Sequence, residues 1–190
     1  MTSGATTTPK PRRRWLQFSL RTLMVLILVF GCGLGWFAHK VQQARAQQEA
    51  VKAIRKLGGS VVEEPSDGVI RTAVAGVGKL FGEDLSGDVT GVSFGGTQVT
   101  DAGLVHLRGL TQLEWLTLHS TQVTDAGLVH VRGLTRLQGL NLSSTQVTDA
   151  GLEHLRGLTR LTYLHLSNTQ VTDASVNELK KVLPNLYVGR

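Results

Sequence analysis

The amino-acid sequence predicts an α/β solenoid of five short parallel strands with helices on the convex side, behind an N-terminal transmembrane helix. Blocks of 24 residues follow one another without a gap from Thr97 onward, and a period of that length is typical of solenoids. Each block joins a strand pattern to a helix pattern, and both must stack on neighbours to bury one face. An uncharged apolar run over residues 22–38 predicts the membrane helix.

These patterns divide the chain into five segments. They are a basic tail (1–21), a transmembrane signal-anchor helix (22–38), a helical stalk (39–59), an N-terminal capping region (60–88) and the repeats (89–190).

The net charge of +6 belongs to the N-terminal part of the chain. Residues 1–57 hold ten Lys and Arg and one Glu, whereas residues 58–190 hold ten Lys and Arg and thirteen Asp and Glu. The repeat body is therefore mildly acidic, which argues against a nucleic-acid partner. The single cysteine excludes an intramolecular disulfide framework and a thiolate zinc site, and we expect no cofactor.

The segment 22–38 has the composition of a membrane span. Nine of its seventeen residues are Leu, Ile, Val or Phe, which favour insertion by about 3–5 kcal/mol in total. Five Lys and Arg precede it within fifteen residues and three follow it, which predicts a cytoplasmic N-terminus and a repeat domain outside the cytoplasm. A signal peptide cleaved at Ala44-Arg45-Ala46 is the alternative.

The segments that connect the span to the repeats have weaker patterns. Residues 39–57 are rich in helix formers and stop at Gly58-Gly59, which predicts a solvated spacer helix. Residues 60–64 and 69–71 are predicted to pair as a hairpin. Leu80, Phe81 and Leu85 are expected on a short helix that covers the open edge of the first repeat.

Within a block, two periodicities predict the two elements. The L-x-x-L-x-L pattern of residues 113–118 predicts a short strand with its leucines on one side. Thr124-Asp125 is an N-cap signal, and the spacing of apolar residues over 128–134 predicts one face of a short helix. Three glycines are expected to let helix and strand approach closely: Gly103, Gly127 and Gly151.

The pattern L-x-x-L-x-L-x-x-T followed by Val-Thr-Asp-Ala-Gly-Leu resembles the leucine-rich repeat, and residues 85–190 carry the resemblance. It is similar to the cysteine-containing subclass, with threonine where that subclass has cysteine: Thr97, Thr121, Thr145 and Thr169. The resemblance implies a curved solenoid that binds proteins on its concave face and performs no chemistry. The arrangement with an anchor and a stalk also resembles small bacterial membrane-anchored proteins of this kind.

The positions where the three full blocks differ suggest a binding surface. Sixteen of 24 positions are identical in all three blocks, and three of the eight others flank the buried leucines of the strand. Alternation along a strand puts them on the opposite sheet face, which we call the concave face. The candidate partner-binding residues are Trp115, Thr117, His119, Gly139, Asn141, Tyr163 and His165.

The first of these columns is expected to form a hollow. Trp115 and Tyr163 lie two strands apart with Gly139 between them, so aromatic walls about 10 Å apart would flank an open space. A peptide side chain or a sugar ring would fit there, and exposed aromatic residues commonly anchor interfaces. Neutral drift on a tolerant surface would also produce such variation.

Columns on the helix side favour a structural role. His106, His130 and His154 recur in neighbouring helices, which lie about 8–10 Å apart, too far for three ligands of one metal ion. A basic column also recurs on the helix side, and its members are Arg108, Arg132, Arg156 and Lys180. We expect it to form a solvated charged surface with the Asp residues that begin the same helices.

The sequence therefore predicts a non-catalytic, membrane-anchored module that binds a protein or peptide. The alternative is an assembly element of the cell envelope, because the last strand, Leu186 to Gly189, offers an open sheet edge.

Overall fold

Six strands form one sheet, in chain order, in the computed structural model, which describes residues 35, 39, 42–65 and 87–190. The strands are β1 (Ser60–Pro65), β2 (Gly87–Ser93), β3 (Trp115–Thr117), β4 (Gly139–Asn141), β5 (Tyr163–His165) and β6 (Tyr187–Gly189). From β2 to β6 all pairings are parallel, and each residue pairs with the one 24 positions further along. The prediction of five short parallel strands in an α/β solenoid is confirmed.

The helical segments lie between successive strands and close the core. They are a 3-10 helix (Asp101–Gly109), α2 (Asp125–Leu128), α3 (Asp149–Leu152) with a 3-10 extension (Glu153–Leu155), and α4 (Asp173–Val182); α1 covers residues 42–56. Leu128, Val131 and Leu134 are completely buried, as the spacing predicted. The α-helix of this block is nevertheless only four residues long, because the next turns close with hydrogen bonds from residue i to i−3.

Carboxylates join each repeat to the next. Asp125 Oδ1 accepts the backbone N–H of Thr148 at 2.8 Å, and Asp125 Oδ2 accepts its hydroxyl at 2.6 Å. The same pair of bonds joins Asp101 to Thr124 and Asp149 to Thr172. The expectation that these Asp residues merely cap their own helices in a solvated charged surface is wrong. The Thr side chain is the cap, and the Asp side chain reaches forward because that cap offers it two donors.

The glycines of the helices make room for these carboxylates. A Cβ atom on Gly151 would overlap Asp125 Oδ1 and lie 2.9 Å from Val147 Cγ1, and one on Gly127 would overlap Asp101 Oδ1. For these two glycines the close approach is therefore to the preceding repeat, not between helix and strand of one block as predicted. Any larger side chain here would push the carboxylate away from its threonine.

A second set of threonines occupies the positions at which the similar cysteine-containing motif has cysteine. The Thr121 hydroxyl donates to the Leu118 carbonyl at 2.7 Å, and the Thr145 hydroxyl donates to the Leu142 carbonyl at 2.6 Å. Both side chains are buried, and a buried hydroxyl needs such a partner. The threonine thus closes the turn after each strand, which explains how the motif tolerates it.

Helix α1 is more than the solvated spacer that was predicted. Ile54 is completely buried and Ala50 nearly so, and both belong to the core of the solenoid. The predicted stop is confirmed: Gly58 has φ +80°, and the Gly59 N–H donates to the Ile54 carbonyl at 2.9 Å. These two side chains pack on the first repeat because that repeat has no preceding neighbour to cover it.

Strand β1 pairs antiparallel with β2, which completes the cover over the first repeat. The second arm of the predicted hairpin (69–71) and the predicted helix around Leu80 lie outside the described residues. So does the predicted span 22–38, except for Gly35. Within the described part of the chain, no helix combines the length and apolarity needed to cross a membrane.

The limited space next to the carboxylates predicts that alanine substitutions at two glycines will change the free energy of unfolding differently. We expect Gly151→Ala to lower the free energy of unfolding by about 2 kcal/mol, because overpacking costs about 1–3 kcal/mol. Gly157→Ala is the matched control, since nothing lies within 4 Å of its Cβ position; it should be neutral or stabilise by up to about 1 kcal/mol. Denaturant titration of both variants measures the difference. Equal effects would contradict the proposed role of Gly151.

The hydrogen bonds between repeats also predict that Asp149 stabilises the fold less as the pH falls. The backbone N–H of Thr172 stabilises its charged form and lowers the pKa of Asp149 below its usual value. A carboxyl whose pKa is lowered by folding stabilises the fold above its unfolded pKa, and this contribution is lost as the pH falls through the folded pKa. Between about pH 5 and pH 2, Asp149→Asn should therefore show a weaker pH dependence of unfolding than the wild type. Coincident pH profiles would contradict this.

Candidate functional site

Three columns of side chains cross the concave face; the first two have one residue in each of the parallel strands, and the third lies just after the strands. The first column is Gly91, Trp115, Gly139, Tyr163 and Tyr187; the second is Ser93, Thr117, Asn141, His165 and Gly189; the third is Gly95, His119, Ser143 and Ser167. The buried leucines of the same strands point to the opposite side. Six of the seven predicted site residues therefore lie on one sheet face in neighbouring strands, and His119 follows β3 closely.

The predicted hollow between Trp115 and Tyr163 is filled. A Cβ atom on Gly139 would overlap two carbons of the Trp115 ring, so the indole lies against the backbone of β4. Gly139 is buried as a result, whereas Trp115 remains 52% exposed. The expectation of an open space between aromatic walls is wrong, because a residue without a side chain lets the neighbouring ring lie down over it. What results is an aromatic platform with one open face.

A second aromatic group lies over β5 and β6. The Tyr163 and Tyr187 rings are 5.1 Å apart between centroids and tilted by 44°, and Tyr163 stacks on His165 at 6.4 Å. The two tyrosines are 47% and 57% exposed. His165 lies against Gly189 as Trp115 lies against Gly139. Tyr187 was missing from the predicted site, although counting 24 residues on from Tyr163 would have found it.

The other polar side chains of the face are held by local contacts. The Asn141 side-chain oxygen accepts the Ser143 N–H at 3.0 Å, and Thr117 is half-buried between its neighbours. His119 leans towards the preceding repeat, because Gly95 leaves it space. These contacts fix the polar groups beside the aromatic rings.

The three columns contain no Asp, Glu, Lys or Arg. Charged side chains begin at the flank, where Glu114 accepts a hydrogen bond from the Gln138 amide at 2.8 Å and lies 4.0 Å from Arg136. The concave face is therefore an uncharged surface of aromatic rings, hydroxyls, an amide and imidazoles. Such groups are suited to contact and hydrogen bonding.

The helix side has a different character. Arg108 Nε donates to His130 Nδ1 at 2.9 Å, and burial together with this guanidinium lowers the pKa of His130. Arg156 pairs with Glu153 at 3.0 Å. In the described residues no three or more His, Cys, Asp or Glu side chains converge as a metal site would require. Arg108 and His130 thus join neighbouring helical segments, whereas Arg156 pairs within its own segment.

A shallow groove of about 160 Å³ lies between α3 and α4. Leu152 and Leu179 line it together with Glu153 and Glu178, which pair with Arg156 and Lys181. Both glutamates of the groove are thus already paired with a cation.

Residues 135–181 match the family model for leucine-rich repeats in two copies. The chain therefore carries leucine-rich repeats, as the sequence pattern indicated. No curated protein matches the chain.

Several solved structures are similar to part of this chain. Internalin C2 from Listeria monocytogenes str. 4b F2365 is 30% identical over 48% of this chain and 37% of its own, with a TM-score of 0.41. Internalin F from the same strain is 25% identical over 48% of this chain and 32% of its own, with a TM-score of 0.35. Leiomodin-1 actin-binding site 2 is 22% identical over 53% and 69%, with a TM-score of 0.43. The chain thus spans about a third of the two internalin chains.

The contact between Trp115 and Gly139 predicts a spectroscopic change. Gly139→Ala should displace the indole into solvent and shift its fluorescence to longer wavelength, in a background where Trp15 and Trp36 are replaced by Phe. The cost in stability should be only about 1 kcal/mol, because the ring has solvent to move into. Gly133→Ala on the helix side, where a Cβ meets nothing within 4 Å, is the control. Unchanged emission would show that the indole does not lie on Gly139.

Proposed function

Because the chain carries leucine-rich repeats, which typically serve as protein-interaction modules, we propose that it is a non-catalytic module that binds a protein or peptide on its concave face. In this proposal residues 22–38 anchor the chain in a membrane and hold the repeats outside the cytoplasm. The contact surface comprises the seven predicted residues together with Tyr187. Neither a cofactor nor a nucleic acid takes part.

The exposed aromatic rings of the concave face carry the proposal. Trp115, Tyr163 and Tyr187 are each about half exposed, on a sheet face whose opposite side is the core. Large aromatic side chains are costly to leave in water, and Trp and Tyr are the residues most enriched at the energetic centres of interfaces. Val105 and Val129, which are also exposed, are smaller and lie on the helix side.

Truncation of these rings should weaken binding without unfolding the chain. We expect Trp115→Ala and Tyr163→Ala each to reduce affinity for the native partner by about thirtyfold, or about 2 kcal/mol. Affinity capture by the full-length protein from detergent-solubilised native membranes, followed by quantitative binding of the partner identified, measures this. The melting temperature should change little, since both rings lie on the solvent side of the sheet.

Substitutions on the helix side are the matched controls. Val105→Ala and Arg132→Ala change exposed side chains on the helix side and should leave binding unchanged. If these variants abolish capture while Trp115→Ala and Tyr163→Ala retain it, the partner binds the helix side and the concave proposal is wrong.

Membrane anchoring rests on the composition of residues 22–38 and has its own test. The intact mass of the protein extracted from membranes should be that of the uncleaved chain, and protease added to intact cells should digest the repeats. A mature chain that begins near Gln47 would instead support the cleaved signal peptide. Protection of the repeats in intact cells would contradict the proposed orientation.

Self-assembly through the edge of β6 is the alternative. Arg190 weighs against further stacking beyond β6: its guanidinium contacts the Val171 carbonyl at 3.2 Å and Asp173 at 2.6 Å. In earlier repeats the equivalent carbonyl and carboxylate accept hydrogen bonds from the next repeat. Light scattering at increasing concentration separates the two functions, because the alternative requires a mass that rises with concentration.

A further inference from the structure

The first column of the concave face continues onto the N-terminal capping region. Strand β1 pairs with β2, and Val62 lies directly opposite Gly91, the first member of that column. Residues directly opposite each other in antiparallel strands have their side chains on the same face. A Cβ atom on Gly91 would lie 3.1 Å from Val62 Cβ, so the valine lies against the glycine. Val61, the preceding residue, packs on the core instead, as alternation along a strand requires.

Val62 is 60% exposed, although it is a large apolar side chain in a paired strand. The extended column therefore holds four large apolar side chains, each about half exposed, which we call the apolar stripe: Val62, Trp115, Tyr163 and Tyr187. Gly91 and Gly139 separate members of the stripe along the sheet. Val62 lies against the first of these glycines and the Trp115 ring against the second, so neither leaves a hollow in the stripe.

A polar column borders the apolar stripe. Ser60 pairs with Ser93, so β1 continues the second column as well as the first. From β1 to β6, these two columns contain no Asp, Glu, Lys or Arg. A continuous exposed apolar surface with a polar border is typical of protein interaction sites.

The length of the apolar stripe selects a polypeptide segment over a small ligand. Val62 on β1 and Tyr187 on β6 are attached five strand spacings apart, or about 24 Å. Val62 leans towards β2, and even if it is counted on that strand, four spacings or about 19 Å remain. A single sugar ring is far shorter, whereas about six or seven residues of extended chain cover this distance.

An acyl chain would be long enough, but an open sheet face does not suit it. The side chains of the stripe are about half exposed, so an acyl chain laid on them would keep its outer side in water. A polypeptide segment differs because it can turn apolar side chains towards the stripe and polar side chains towards solvent. The open face therefore favours a polypeptide.

From this continuity, length and border, we propose that the binding surface includes the N-terminal capping region and that one polypeptide segment contacts the whole apolar stripe, from Val62 to Tyr187. The side chains that face the stripe are apolar, because a charge there would lose water without gaining an opposite charge. This inference rests on the proposed function, since it requires the concave face to be the binding surface.

Substitutions at the two ends of the stripe test the inference. The probe is a peptide selected on the full-length protein from a phage-displayed library of random sixteen-residue sequences. Val62→Thr keeps the branched shape but replaces a methyl group with a hydroxyl, and it should weaken binding of the peptide about fivefold. Tyr187→Ala, at the other end, should weaken binding of the same peptide about thirtyfold.

Val105→Thr is the matched control, because it makes the same change at an exposed valine on the helix side. It should bind the peptide like the wild type. The melting temperature should change little in both threonine variants, since both valines are exposed. Four-residue fragments of the selected peptide should not depend on both ends of the stripe, because they are too short to reach from one to the other.

The outcomes separate this inference from the proposed function. A peptide that requires Trp115 and Tyr187 but binds Val62→Thr like the wild type would overturn the inference and leave concave-face binding intact. Peptides that bind Trp115→Ala and the wild type equally would overturn both. Failure to enrich any peptide would overturn the inference, and binding of oleate that requires both Val62 and Tyr187 would then identify the occupant as an acyl chain.

Discussion

The rest of the fold depends on the pair of hydrogen bonds that each of three Asp carboxylates accepts from the threonine of the next repeat. A repeat of 24 residues is too small to close a core alone, so its strand and helix must be held in fixed register with their neighbours. Asp101, Asp125 and Asp149 each accept two hydrogen bonds from the following block. Charge-assisted bonds of this kind are roughly twice as strong as neutral ones, and the adjacent glycines leave space for them.

This register determines what the concave face can display. Every strand residue pairs with the one 24 positions further along the chain. A substitution within one block therefore changes one side chain of a column and leaves the rest of that column unchanged. Gly139 and Gly189 are two such positions: the absence of a side chain lets Trp115 and His165 lie against the backbone of the next strand. The face therefore combines an invariant framework with a few variable aromatic positions, an arrangement suited to acquiring a ligand without loss of the fold.

The sequence allowed prediction of the features that depend on periodicity. The leucine spacing predicted the parallel strands, and alternation placed six of the seven site residues on one face. Features that depend on side-chain direction were not predictable from the pattern. Thr124-Asp125 resembles a simple helix cap in the sequence. Only the stacked repeats show that the Asp125 side chain accepts hydrogen bonds from the threonine of the next repeat. Likewise a glycine between Trp115 and Tyr163 suggests a gap, whereas the indole occupies it. The helix formers of residues 39–57 predicted a helix, but not that Ile54 would be buried in the core of the solenoid.

Hydroxyl-radical footprinting of the full-length protein, alone and bound to its captured partner, tests the central claim most directly. In the free protein the Trp115, Tyr163 and Tyr187 rings should all be oxidised, because each is about half exposed. The partner should protect these three rings and leave the oxidation of Val105 and Val129 on the helix side unchanged. Oxidation of the three rings at the same rate in the complex, with protection confined to the helix side, would contradict the claim that the concave face is the binding surface.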